Sequence, residues 1–130
     1  MTSYGLSKIV SLPYAQAVAA ITAALKTQGF GVLTSIDVRE TLRQKIGAEF
    51  RPYIILGACN PHLAHRALQA EDEIGLLLPC NAIVYDNGDG SSSISLLDPA
   101  QMMSFTGNPA LEPIAAEARR LLQAALDAVA

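Results

Sequence analysis

Apolar residues recur along this chain in two rhythms, one of period two and one near period 3.6, and the exchange between them predicts its elements. Leu6, Ile9 and Val10 anchor a short strand that ends at Leu12. Pro13 has the fixed φ that suits a first helical turn, and Tyr14, Val18, Ile21 and Leu25 then follow at helical spacing as far as Gly29, a left-handed cap. Phe30 to Val38 reads as a second strand carrying Val32, Leu33, Ile36 and Val38, and Arg39 to Ile46 as a short exposed helix stopped by Gly47. Tyr53 to Ala58 is apolar at almost every position, which predicts a central strand covered on both faces.

Asn60-Pro61 is a helix start, with asparagine as cap and proline at the first helical position, and Leu63, Ala64, Ala67 and Leu68 mark its buried stripe. After an acidic loop at Glu71, Asp72 and Glu73, the run Gly75 to Tyr85 reads as one long strand made irregular at Pro79. Asn87-Gly88 and Asp89-Gly90 then turn the chain into an antiparallel return over Ser91 to Leu97. In that return Ser91, Ser93 and Ser95 share a wetter face and Ile94 and Leu96 the other. Asp98-Pro99 opens a short turn or helix through Met102 and Met103, and Asn108-Pro109 or Glu112-Pro113 starts a last helix striped by Leu111, Ile114, Ala118, Leu121, Leu122, Ala125 and Val129. The order β-α-β-α-β-α-β-β-α predicts an α+β fold, a single-layer, mostly antiparallel sheet with helices packed on one face.

Composition narrows the function classes. The 130 residues, 51% hydrophobic, suit one domain, residues 1–130, with a core of its own. Nine Lys and Arg are scattered against twelve Asp and Glu, and there is no Trp, so neither a phosphate-binding stripe nor a set of stacking platforms is present and nucleic acid is not expected as a partner. Pro79 and Asn81 interrupt the longest apolar run well short of the roughly 18 residues that a membrane span needs. With no leader-like start and only two cysteines, a cytoplasmic protein with reduced thiols is expected, without a membrane partner.

Candidate chemistry gathers at two Cys-Asn pairs, Cys59-Asn60 and Cys80-Asn81. Cys59, His62 and His65 have the spacing C-x2-H-x2-H, and the two histidines share a helix face as zinc or copper ligands do, although a fourth ligand is missing unless Cys80 comes near. The plainer account makes both histidines ordinary surface residues. Cys59 and Cys80 form a redox pair if their Cα atoms lie within about 7 Å, with the helix at Pro61 aiming its free amides at Cys59; otherwise they are small core hydrophobes. Asn60 reads as a helix cap, Asn81 as a bulge residue, and Asp98 as a turn residue before Pro99. Nothing in the chain resembles a phosphate loop, a nucleophile elbow or a paired-carboxylate motif, so no cofactor is evident and catalysis is not the favoured expectation.

Three ordered stretches, Gly29-Phe30-Gly31-Val32-Leu33 with Ile36-Asp37-Val38, Leu56-Gly57-Ala58-Cys59-Asn60-Pro61 with Ala64 and Leu68, and Gly75-Leu76-Leu77-Leu78-Pro79-Cys80-Asn81, resemble the domain-of-unknown-function 302 family. Asp98-Pro99 and the alanine-rich last helix fit as well, so the resemblance covers almost the whole chain. It implies a compact α+β fold, a homodimer and a prokaryotic source, and it brings no assigned activity. A dimer also accords with Ile83 and Tyr85, which alternation places on the outer sheet face.

The resulting expectation is a non-catalytic, homodimeric binding module for a small molecule. Its ligand-binding residues are Cys59, Asn60, Cys80 and Asn81, beside the possible metal set of Cys59, His62 and His65. A thiol-dependent redox enzyme or sensor using Cys59 and Cys80, and a purely structural interaction module, are the alternatives.

Overall fold

The computed structural model describes residues 2–130. Five strands, β1 (Gly5–Val10), β2 (Gly31–Asp37), β3 (Tyr53–Cys59), β4 (Cys80–Asp86) and β5 (Ser92–Leu97), form one sheet in the order β1-β5-β4-β3-β2, with every neighbouring pair antiparallel. Five helices lie between or after them: α1 (Tyr14–Thr27), α2 (Val38–Ile46), α3 (Pro61–Ala70), α4 (Gln101–Thr106) and α5 (Glu112–Asp127). The expected α+β architecture is thus the one the chain adopts.

Local chemistry explains where the helices begin and end. The carbonyl of Pro13 accepts from Ala17 N at 2.9 Å, and α1 turns off at Gly29, whose φ of +83° lets Phe30 N reach back to Leu25 O at 2.9 Å. Asp37 caps α2 by accepting from Glu40 N at 3.0 Å, and Asn60 caps α3 by accepting from Leu63 N at 3.2 Å. At the last helix both proposed starts are used in succession. Asn108 caps a 3-10 turn over Pro109–Leu111, and α5 follows from Glu112 with Pro113 in its first turn.

The core lies between one sheet face and the helices α1, α3 and α5. Ile21 and Leu25 of α1, Ile94 and Leu96 of β5, and Leu122 and Leu126 of α5 are buried together with Val84 of β4. Each such side chain contributes about 1.5–3 kcal/mol on leaving water, so this layer dominates the stability. Two polar groups are drawn into it with partners. Ser92, inaccessible to solvent, donates from Oγ to Leu12 O at 2.8 Å, and Lys8 donates from Nζ to the carbonyls of Val129 and Leu126.

The structure corrects five expectations. The run Gly75 to Tyr85 is two pieces, because Asp72–Leu77 coils into a 3-10 segment and β4 starts only at Cys80, after the cis Leu78-Pro79 bond. Proline has no N–H for a sheet ladder, and of the preceding apolar residues Ile74 alone is buried, while Leu76 stays in solvent. The central strand is β4, not β3, which lies second from the β2 edge. The apolar run of β3 serves two faces of unlike character: Leu56 and Ala58 face the helices, whereas Tyr53 and Ile55 fall on the opposite face.

In the return strand Ser91 lies before β5, and Ser93 is buried, donating to Asn87 Oδ1 at 3.0 Å. Of that serine row Ser91 and Ser95 are half-buried. Leu68 also leaves the expected stripe of α3, which rests on Leu63 and Ala67 instead.

Candidate functional site

Antiparallel pairing brings the two Cys-Asn pairs together from positions about twenty residues apart. Ala58 stands opposite Cys80 and Gly57 opposite Asn81, so the end of β3 and the start of β4 are neighbours. α3 leaves the sheet immediately after Cys59, and the chain enters β4 through Leu78 and Pro79. Between these connections a cleft opens, bordered by Phe30, Cys59, Asn60, Leu63, Pro79 and Cys80, with Met102, Ile114 and Ala118 closing its inner end. Its free volume is about 30 Å³, room for a water or two or for a methyl-sized group, and its walls are almost wholly apolar.

The pleat separates the candidate residues. Cys80 follows Ala58 onto the helix-facing side, whereas Cys59 pairs one step further along, opposite Gly31. Both are free thiols. Burial pushes the Cys80 thiol up to about 11, and the neighbouring Cys59 adds to the shift. A thiol in that range is neutral at physiological pH and is a poor nucleophile.

Asn60 sits at the mouth of the cleft with two structural tasks. Its Oδ1 caps α3, and its amide lies close enough to Gly29 that a β-carbon there would stand 3.0 Å from Nδ2. Asn81 points elsewhere: it is exposed and lines a second, larger hollow on the opposite sheet face. The fourfold set is therefore divided, with Cys59, Asn60 and Cys80 at the cleft and Asn81 outside it.

His62 and His65 are exposed on the first two turns of α3. Among the described residues no group of three or more His, Cys, Asp or Glu side chains is placed to hold a metal ion, so Cys59, His62 and His65 do not converge. Asp98 is a turn residue, as its spacing suggested. It accepts from Ala100 N at 3.0 Å and from Arg119 Nε at 3.3 Å.

Two features had no local signal. The inner wall of the cleft comes from α4 and α5, forty or more residues beyond its mouth, and only packing joins Met102, Ile114 and Ala118 to Asn60. The second hollow, about 550 Å³, is lined by Tyr4, Ser7, Asn81, Ile83, Tyr85 and Leu97, drawn from three strands and the residues before β1. At its margin the rings of Tyr53 and Tyr85 stack at 5.4 Å between centroids and 7° between planes, and the Arg51 guanidinium lies 5.6 Å from the Tyr85 centroid. The alternation of β4 was the one clue to this face.

No helix of the described residues is long and apolar enough to cross a membrane. No curated protein matches the sequence. The chain is similar to a protein whose crystal structure is described as that of an uncharacterized conserved protein DUF302 from Bacillus stearothermophilus, with 32% identity, a TM-score of 0.90, and coverage of 99% of this chain and 100% of that one. The family model described as domain of unknown function DUF302 matches residues 6–129, and the chain belongs to that family.

Proposed function

We propose that the protein is a non-catalytic, homodimeric binding module that recognises a small apolar group at the cleft bordered by Cys59, Asn60 and Cys80. The observation that carries this reading is the lining of the cleft: apolar side chains from the three helices α3, α4 and α5 and two strand ends converge there, with the Asn60 amide as the polar group at its mouth. Sites of this composition bind by shape and one or two oriented hydrogen bonds. At about 30 Å³ the cleft admits only the tip of a ligand, such as a methyl, short alkyl or thioether end, while the rest of the molecule lies along α3.

The redox alternative needs a thiolate, and the raised Cys80 thiol speaks against that residue as nucleophile or resolving partner at neutral pH. The test is mapping of backbone amide shifts by NMR during titration with short alkyl alcohols and thioethers. Shifts at Asn60, Leu63 and Cys80 support the cleft. Shifts confined to other residues overturn the placement, and rapid native alkylation of Cys59 together with loss of binding in Cys59→Ser would favour the thiol account.

A further inference from the structure

The strand register assigns each residue of the sheet to a face, and on the face turned away from the core helices the assignments form three cross-strand rows. Ile9, Ser93, Tyr85 and Tyr53 make the first, Ser7, Ser95, Ile83, Ile55 and Ile36 the second, and Gly5, Leu97, Asn81, Gly57 and Thr34 the third. Not one of these positions carries a charge, in a chain with twenty-one Lys, Arg, Asp and Glu residues. Antiparallel sheets that face water normally place charged and strongly polar residues on that side. Here Ile9 is 59% and Ile36 49% exposed, and Tyr4, 57% exposed, borders the same face.

We infer that this sheet face, uncharged at every one of those strand positions and flanked at its margin by Arg51 over the Tyr85 ring, is where two copies of the chain pack together. The inference rests on the homodimeric reading above and names the surface that reading leaves open. Three features point to a second copy as occupant. Depletion of charge is the compositional mark of the centre of a protein interface, and the Arg51 guanidinium at the margin is already held against the Phe50 and Tyr85 rings. Five strands about 4.8 Å apart and six or seven residues long, at about 3.3 Å per residue, give a flat face on the order of 500 Å², which Tyr4 and the side-chain relief enlarge toward the roughly 800 Å² per partner of a stable interface.

The third feature is self-complementarity. A twofold interface uses one patch twice, so that patch must hold both a projection and a hollow. Ile9 projects from one end of the face, and the hollow of about 550 Å³ between Tyr4 and Tyr85 lies on it. The serines beside the hollow bond to each other, with Ser7 Oγ and Ser95 Oγ 2.7 Å apart, which uses one of their two O–H donors and leaves the other to reach an acceptor across the seam.

The test is sedimentation velocity across micromolar concentrations on the intact wild type, Ile83→Lys, Ile9→Lys and the control Leu68→Lys. Leu68 is exposed on α3, away from this face, and Ile9→Lys changes a side chain already in solvent, so at least one interface variant folds. The expected result is a dimeric wild type and control, with dissociation at least tenfold easier in the Ile83 and Ile9 variants and unaltered circular dichroism. A wild type and Ile9→Lys that are both dimeric to the same degree would overturn the assigned face while leaving the dimer intact. A monomeric wild type would overturn the dimer itself, and an apolar dye bound beside Tyr85 in that monomer would give the hollow to a small ligand instead.

Discussion

Gly57 and Pro79 pack so closely across the β3–β4 boundary that a β-carbon on Gly57 would lie 2.8 Å from Pro79 Cγ, and it would also overlap Thr34 Oγ1. Glycine is required here by space, since its φ is ordinary. The contact holds the turn before β4 against the sheet and so sets one wall of the cleft.

Gly57→Ala is therefore expected to lower stability by about 1–3 kcal/mol, the range for overpacking a tight site. Thr34→Ala in the same chain removes the hydroxyl but leaves Pro79 in place, so it should recover only part of the loss. Urea denaturation of the single and double variants measures both, and a neutral Gly57→Ala would show that Pro79 yields freely.

Asn60→Ala should cost about 1 kcal/mol through loss of the α3 cap, whereas Asn60→Asp keeps an acceptor for Leu63 N and should stay within a few tenths of the wild type. The aspartate variant separates cap from ligand contact. If the amide at the mouth recognises the ligand, Asn60→Asp weakens binding in the NMR titration while its thermal midpoint is unchanged.

Cys80 has a folded-state pKa of about 11 against an ordinary value of 9.0, chiefly through burial. A raised value means that the native state keeps its proton where the unfolded chain has lost it, so the contribution is intact below pH 9 and is lost as pH rises toward 11. Stability should fall by about 2–3 kcal/mol across that window, and the fall should be shallower in Cys80→Ala, which lacks this thiol. Parallel denaturant titrations of the two proteins at several pH values give the difference. Native iodoacetamide labelling at neutral pH should meanwhile leave Cys80 unmodified until the protein unfolds.

Lys8 ties β1 to the end of the last helix through Val129 O and Leu126 O. A cation at a helix C-terminus interacts favourably with the carbonyls gathered there, and Lys8 adds a second donor to Leu126 O, which already accepts from Val129 N at 3.2 Å. Lys8→Met retains the aliphatic stem and removes the charge, and it should destabilise by about 1–2 kcal/mol. Hydrogen exchange should then show faster opening of the final turn of α5 than of its middle; equal exchange in both proteins would mean that packing alone holds the helix end.

Much of the fold was legible in the residues themselves. The helices around Ile21, Leu63 and Leu122, the caps at Asn60 and Asn108 and the hairpin after Asp86 all follow from spacing and capping chemistry that act within a few residues, whereas the Asp37 cap was hidden inside the expected second strand. The cleft was half legible: its mouth is written in Cys59-Asn60-Pro61 and Pro79-Cys80, because a strand end followed by a capped helix is a local event.

What local rules could not supply was the partner of each segment. An apolar run such as Tyr53 to Ala58 or Gly75 to Leu78 satisfies a two-sided strand, a one-sided strand or a 3-10 turn equally well. The choice fell to antiparallel order and to Pro79's missing donor. Residue types and their spacing determined that this chain forms helices on an antiparallel sheet, since burial and backbone pairing leave few other solutions. Only the tertiary structure decided which face of that sheet stayed uncovered, that Cys59 and Cys80 border one cleft while Asn81 turns away, and that Ile114 closes it, because each depends on contacts between segments far apart in the chain.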